Sequence, residues 1–406
     1  VYGFSEKQVG SSASSMIRVY TEEKDRFELS PDSYIEDNDG AKIAWSRGLR
    51  NKLKRKTSIE YKPSVVRRAS YRPFCIQYAY TGNEIIEYPG QHLNYFPEKE
   101  TDNQIICIAG GMKIGCLVTN RIADKHFVSD AQCFPLYWYE ERECFGGLFA
   151  EGDIEKGKYV RHDAITDEAL EVFRAAYPNA FGGGKGRTIE QAKTDGLPSR
   201  IASSNERFDV NKVDIFYYVY GILHSPEYRS RFEANLQKEL PRIPLSRNFR
   251  EFCASGRALA KLHLGYEEVD PWPVKEVGSS LLPGPVKKIK WGKRKDSETG
   301  KKVDDHTVLI YNENLVIKDI PEAAQRYTVN GRSPLEWVID RYQVKTDKAS
   351  GIVNDPNEYS DGPRYIVDLI EKLIRVSMET MEIIDQLPPI SELSQPANWP
   401  FAWKAQ

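Results

Sequence analysis

Val65-Val66-Arg67-Arg68-Ala69-Ser70-Tyr71-Arg72-Pro73-Phe74-Cys75-Ile76-Gln77-Tyr78-Ala79-Tyr80 is where a polar, basic opening gives way to a different kind of chain. From Val65 to Tyr139 the residues fall into short runs rich in Ile, Val, Tyr and Phe. They are punctuated by Thr81-Gly82-Asn83, Pro89-Gly90 and Gly110-Gly111. Branched and aromatic runs broken by Gly, Pro and Asn are strand and turn signals, so a sheet-based subdomain is expected here.

Upstream, the run from Lys42 to Arg72 is strongly cationic. Lys42, Arg47, Arg50, Lys52, Lys54, Arg55, Lys56, Lys62, Arg67, Arg68 and Arg72 face only Glu60, in a chain of formal net charge -2. A local excess of this kind is an electrostatic footprint for a polyanion. The bland alternative is a solvated basic helix, although such a face usually mixes signs. Residues 12–64 are otherwise polar and mixed, with a short amphipathic helix expected from Ile43 to Leu53, which makes 1–64 a linking segment.

Downstream, Thr166 is placed to cap a helix reaching about Tyr177, with Asp167 and Glu168 at the positive end of its dipole. Val213 to Leu223 and Pro226 to Leu240 read as a helix pair, with Ser225 capping the second and Pro226 at its first position. Phe249, Phe252, Leu259 and Leu262 continue helical spacing. Strands return near Val286 to Ile317, where Lys287 to Trp291 alternates against Val308 to Tyr311 across a tip expected at Lys293-Arg294-Lys295-Asp296. Lys and Arg there either hold a polyanion or guard a sheet edge against aggregation. Leu369, Ile370, Leu373, Ile374, Met378 and Met381 stripe a last helix from about Arg364 to Gln386.

The fold class expected is mixed α+β: a strand-rich first subdomain (65–155), a helical middle layer (156–270), and a closing β-hairpin or sheet with a long C-terminal helix (271–406). At 406 residues the chain is long enough to bury its own core without disulfides. Cys75, Cys107, Cys116, Cys133, Cys144 and Cys253 form no Cys-x-x-Cys pair, which argues for free thiols rather than zinc. No apolar stretch reaches the ~20 residues that span a bilayer, and no signal peptide opens the chain. The first residue is Val1, which fits a piece of a longer polypeptide.

Motifs for chemistry are sparse, and no catalytic or metal-binding residue is expected. Phe145-Gly146-Gly147 mimics a methyl-donor site, but no Asn-Pro-Pro-Tyr accompanies it. Phe181-Gly182-Gly183-Gly184-Lys185-Gly186-Arg187-Thr188 has the glycines of a phosphate loop in the wrong spacing. His92, His126, His162, His224, His263 and His306 are scattered; His224 and His263 sit among apolar residues, where a satisfied core histidine is the expected role.

A series of short texts carries a resemblance: Tyr71-Arg72-Pro73-Phe74, Gln77-Tyr78-Ala79-Tyr80, Asn103 to Ile108, Val118 to Asp124, Gln132 to Tyr137, Asp214 to Tyr228, Leu240 to Pro244, Lys261 to Leu264, Val344 to Asp347 and Gly351 to Asp355. In this order they resemble the segment that follows the adenine methyltransferase domain in single-chain restriction-modification enzymes, the type ISP and related type IIG proteins. The resemblance implies a cytoplasmic bacterial protein that recognises a short asymmetric sequence in double-stranded DNA. It also implies an adjoining methyltransferase to which a target adenine is presented, and a helicase-type translocase and nuclease licensed by recognition. S-adenosylmethionine, ATP and Mg2+ would serve the parent polypeptide, with no cofactor held here. Two rivals stay open on the residues alone, a degenerate adenine methyltransferase and a scaffold coupling methyltransferase to motor.

If the chain reads DNA, Arg and Lys hold phosphates, while Arg, Lys, Asn and Gln aimed at base edges discriminate. Backbone contacts are expected from Arg47, Lys54, Arg55, Arg67, Arg68, Arg72, Lys288, Lys290, Lys293, Arg294 and Lys295. Base readers are expected among Asn94, Lys113, Asn120 and Arg121, with Arg332 and Gln343 further afield.

Overall fold

Ser5 begins the first long element: its side chain accepts from Gln8 N and caps helix α1, Glu6–Leu29, just after the two-residue strand β1, Tyr2–Gly3. Val9, Ala13, Ile17 and Tyr20 recur at three- and four-residue intervals and are buried. They form a small core with Ile43, Leu49, Leu53, Ile59, Val66 and Tyr80. The opening, expected to be a linking segment, is a docked helical layer. Its apolar stripe was diluted by the Ser, Glu and Lys residues between. The computed structural model describes residues 2–86, 90–109, 115–142, 158–178 and 210–393.

The second helix, α2, covers Arg47–Lys54, with Ser46 as cap accepting from Leu49 N. It starts four residues later than expected because Ile43 reaches the core from the preceding turn. Strands β2 (Val66–Arg72) and β3 (Cys75–Tyr80) then pair antiparallel, with β1 on the far side of β3. At their turn Phe74 has φ 56°, a strained value for a bulky residue. Its ring packs edge-on against Tyr266 and Tyr327, which holds the turn.

After the one-turn helix α3 (His92–Tyr95), β4 (Ile105–Ala109) lies between β5 (Gly115–Thr119) and β6 (Gln132–Pro135). Every residue of β4 is buried, as its unbroken apolar run requires. A ribbon of β7 (Tyr137–Glu141) and β8 (Tyr159–Asp163) follows. The sheet-rich first part is thus present, built as several small antiparallel sheets.

The helical middle holds α4 (Asp167–Ala176), α5 (Lys212–His224), α6 (Pro226–Arg231), α7 (Glu233–Leu236) and α8 (Phe249–Leu264). Thr166 and Ser225 cap as expected, accepting from Ala169 N and Tyr228 N. The helix expected from Pro226 to Leu240 is broken at Phe232 into two short pieces. Helices α5 and α8 cross at backbone contact: a Cβ on Gly256 would lie 1.8 Å from the Tyr217 carbonyl, and one on Gly221 2.3 Å from that of Phe252.

The closing part forms a four-stranded sheet, ordered β10-β11-β12-β9, from β9 (Lys275–Gly278), β10 (Lys290–Lys295), β11 (Lys302–Ile310) and β12 (Leu315–Lys318). Helix α9 (Pro334–Arg341), the small β13–β14 pair (Lys345–Thr346, Val353–Asn354) and helix α10 (Tyr365–Asp385) complete it. Helix α10 matches its sequence expectation almost to the residue, because its stripe is long and unbroken. Packing does not follow the expected segment boundaries: one core draws on residues from Phe4 to Ile390.

Candidate nucleic-acid interface

The basic run divides once it is folded. Leu49 and Leu53 face inward on α2, which turns Arg47, Arg50 and Lys54 to solvent, with Arg55 and Lys56 following. Arg50 is bidentate to Glu36, at 2.8 Å from each guanidinium nitrogen. Lys42 pairs with Asp37 and Asp39, and Lys52 donates to the carbonyls of Asn83 and Glu84. Arg47, Lys54, Arg55, Lys56 and Lys62 are exposed and carry no ion pair among the described residues. Arg47 also occupies the first turn, where the helix dipole disfavours a cation.

On β2, alternation separates neighbours. Arg67 is 7% exposed, and donates through Nε to Thr81 Oγ1 and through Nη1 to the Phe96 carbonyl, both at 3.0 Å. Burial holds its pKa below the ordinary arginine value. Arg67, expected at a phosphate, is engaged internally and ties β2 to Thr81 and the Phe96 carbonyl. Arg68 points outward over the rings of Tyr78 and Tyr359. Arg72 lies over Tyr71 and binds Asp124 at 2.5 Å, with both side chains largely covered, so it too is engaged internally.

The turn after β5 is stitched to β2. Ser70 N donates to the Ile122 carbonyl, Asp124 N donates to the Ser70 carbonyl, and the Ser70 and Thr119 hydroxyls lie 2.7 Å apart. This brings Asn120 and Arg121 beside Arg68, with Arg121 Nη1 donating to Asn120 Oδ1 at 2.8 Å. The three line one groove of about 590 Å³. Glu6, Arg67 and the segment Glu98–Asp102 line the same groove. Asn103, buried at the segment's end, donates to the carbonyls of Tyr95 and Tyr137, while the Tyr139 hydroxyl donates to the Asp102 carbonyl.

The second basic element is displaced from its expected place. A register shift between Trp291 and Gly292 carries Lys293, Arg294 and Lys295 into β10, opposite Asp304, Val303 and Lys302. The turn lies instead at Asp296 to Lys301, where Asp296 accepts from Thr299 and Glu298. A Cβ at Gly292 would press on Val308, at 2.9 Å, so the bulge suits a residue without a side chain. Lys293 binds Asp304 at 2.6 Å and Arg294 reaches Glu322 at 3.3 Å. Lys287, Lys288, Lys290 and Lys295 are exposed without an ion pair among the described residues.

Asn94, Arg332 and Gln343 lie apart from the groove's lining. Asn94 donates to Gln91 on α3. Arg332 pairs with Asp340 at 2.9 Å and covers Trp337. Gln343 donates to the Asp340 carbonyl and so secures the end of α9, a structural role. Lys113, Cys144, Phe145-Gly146-Gly147 and the Phe181 to Thr188 segment lie outside the described residues.

Of the histidines, His224 and His263 are core residues. His263 lies between the Tyr220 hydroxyl, 2.6 Å from Nδ1, and Thr380 Oγ1, 2.9 Å from Nε2. Burial pushes its pKa down to about 3. Among the described residues no group of three or more His, Cys, Asp and Glu is placed to hold a metal, and no helix is long and apolar enough to cross a membrane.

The family model of the Type ISP C-terminal specificity domain matches residues 1–369. No curated protein sequence matches the chain. Among solved structures, the chain is similar to a nuclease-deletion mutant of the Type ISP restriction-modification enzyme LlaGI in complex with a DNA substrate mimic, at 32% identity and TM-score 0.75. It is also similar to the ATP-dependent Type ISP enzyme LlaBIII bound to DNA, at 30% identity and TM-score 0.77, and to DrdV in a DNA complex, at 25% and 0.74. These matches cover 97%, 97% and 96% of this chain but only 32%, 22% and 35% of the three others. A match over nearly the whole chain, on a shared mixed α and β architecture, means that this chain belongs to the Type ISP C-terminal specificity domain family.

Proposed function

We propose that the chain is the sequence-reading part of a bacterial restriction-modification enzyme, and that it binds double-stranded DNA and selects a short target in it. The observation that carries this reading is the likeness, over 97% of the chain, to two Type ISP enzymes each solved with DNA or a DNA mimic. The unpaired cations of α2 and of the β10 region supply the affinity that phosphates require. The groove holding Arg68, Asn120 and Arg121 supplies side chains of the kind that read base edges.

In the parent polypeptide, recognition presents an adenine to an adjoining methyltransferase and licenses an ATP-driven translocase and a nuclease. S-adenosylmethionine, ATP and Mg2+ serve those other domains. Base-edge reading and phosphate contact need no covalent chemistry from this chain, so its own role is binding and orientation.

The test is the affinity of the chain for duplex DNA as salt is varied, alongside calorimetry with S-adenosylmethionine. Salt-sensitive DNA binding without methyl-donor binding is expected. Absence of salt-sensitive DNA binding removes the reading.

A further inference from the structure

The groove beside β2 has an unusual charge arrangement. Arg68, Lys99 and Arg121 line it together with Glu6, Glu98, Glu100 and Asp102, yet none of the seven takes part in an ion pair among the described residues. Opposite charges on flexible side chains pair readily when they come within reach. Here the backbone anchors the segments that carry them. Ser70 pins the Asn120–Arg121 turn to β2, the buried Arg67 grips the Phe96 carbonyl, and Asn103 and Tyr139 fix the acidic loop at its other end. Arg68 is further steadied over the rings of Tyr78 and Tyr359. The result is a groove that carries both donors and acceptors with hydrogen-bonding capacity unused.

A phosphate would be drawn to the cations but repelled by four carboxylates in the same groove, so the groove is poorly suited to backbone contact. Its complement is a ligand with acceptors on one edge and a donor on the next. The major-groove edge of a G·C pair has that order: guanine presents O6 and N7 as acceptors, and cytosine presents its N4 amino group as donor. Arginine is the residue that matches the first in bidentate fashion, and Asp or Glu the second.

We propose that this groove reads a G·C base pair, with Arg121, supported by Asn120 and Arg68, donating to guanine and Asp102 or Glu98 accepting from cytosine. The inference rests on the DNA-recognition reading above and adds to it the base pair and the acidic half of the site. It transfers Arg68 from backbone contact to base reading.

The test is selection from a randomised duplex pool by the unmodified chain and by Arg121→Ala, Arg121→Lys, Asp102→Asn and Glu98→Gln, each checked for an unchanged melting temperature. The unmodified chain is expected to select a G·C pair at one or more positions. Arg121→Ala and Arg121→Lys relax one of these by roughly 5- to 150-fold, the range for one bidentate contact, with the other positions kept. Asp102→Asn or Glu98→Gln relaxes that same position. Replacing its guanine with 7-deazaguanine weakens the unmodified chain and leaves Arg121→Ala unaffected. If the unmodified chain binds duplex in a salt-sensitive way but shows no G·C preference, or all four variants keep it in full, the G·C assignment is overturned while DNA recognition stands. If it binds no duplex at all, both fall.

Discussion

The hydroxyl of Tyr220 lies 2.6 Å from Nδ1 of His263 and also accepts from the backbone N–H of Val118, so one side chain joins α5 to α8 and to β5, the strand that ends at Thr119. His263 Nε2 continues the chain to Thr380 on α10. Every partner is satisfied when Tyr220 donates to Nδ1 and the neutral imidazole donates from Nε2. Tyr220→Phe removes two buried hydrogen bonds and leaves Val118 N–H and Nδ1 without partners, which is expected to cost about 2 to 4 kcal/mol. Denaturant unfolding measures it.

The same network sets an acid limit. Burial holds His263 at about 3, against an ordinary 6.5, and holds His224 well below its ordinary value. Both stay neutral in the fold and take up protons on unfolding, so their contribution is complete above about 6.5 and is lost as pH falls toward 3. Each adds a slope of at most about 1.4 kcal/mol per pH unit in that window. Glu371, buried beside Glu276 and Arg364, acts in the opposite direction: burial raises its carboxyl from 4.5 to about 7. Its contribution is complete below 4.5 and is lost as pH rises through 7. Melting temperature against pH is therefore expected to fall on both sides of a mildly acidic optimum, with the acid limb shallower in His263→Gln.

Gly256→Ala tests the helix crossing. Alanine raises helix propensity by about 1 kcal/mol over glycine, but here its Cβ would meet the Tyr217 carbonyl at 1.8 Å. The helices must separate, and a net loss of roughly 1 to 3 kcal/mol is expected. A variant as stable as the parent would show that the crossing tolerates displacement.

Arg47, Lys54 and Arg55 are separable from Arg67 by salt. Each phosphate neutralised contributes about -0.9 to the slope of log affinity against log salt. Changing the first three to alanine is expected to flatten that slope by up to about three units and to weaken all sequences alike. Arg67→Ala should instead lower stability by about 2 kcal/mol or more, because two charge-assisted hydrogen bonds are lost. Its effect on the salt slope should be small.

Lys288, Lys290 and Lys295 border or lie on β10, an edge strand. If they meet the DNA backbone, changing all three to glutamate should reduce affinity at least roughly tenfold, since attraction becomes repulsion. Melting temperature should move little because the residues are exposed. Unchanged affinity with new aggregation would mean that they guard the edge.

Local order was legible wherever a pattern was continuous. The stripe of α10, the Thr166 and Ser225 caps and the unbroken run of β4 each predict their element from neighbours within a few residues. Helix α1 carried the same spacing but between polar residues, and was missed. The tally of charge was equally plain from the sequence, and so was the family to which its motifs point.

Tertiary structure decided which charges are available. Arg67 and Arg68 are adjacent and chemically identical, yet strand alternation buries one against Thr81 and Phe96 and leaves the other exposed over Tyr78 and Tyr359. The bulge at Trp291 and Gly292 moved three cations from a turn onto a strand. The groove itself joins β2, the loop at Glu98 to Asp102 and the turn at Asn120, segments that lie some tens of residues apart. Periodicity reports what a residue's near neighbours do, whereas a binding site depends on distances between segments, and only the packed fold sets those.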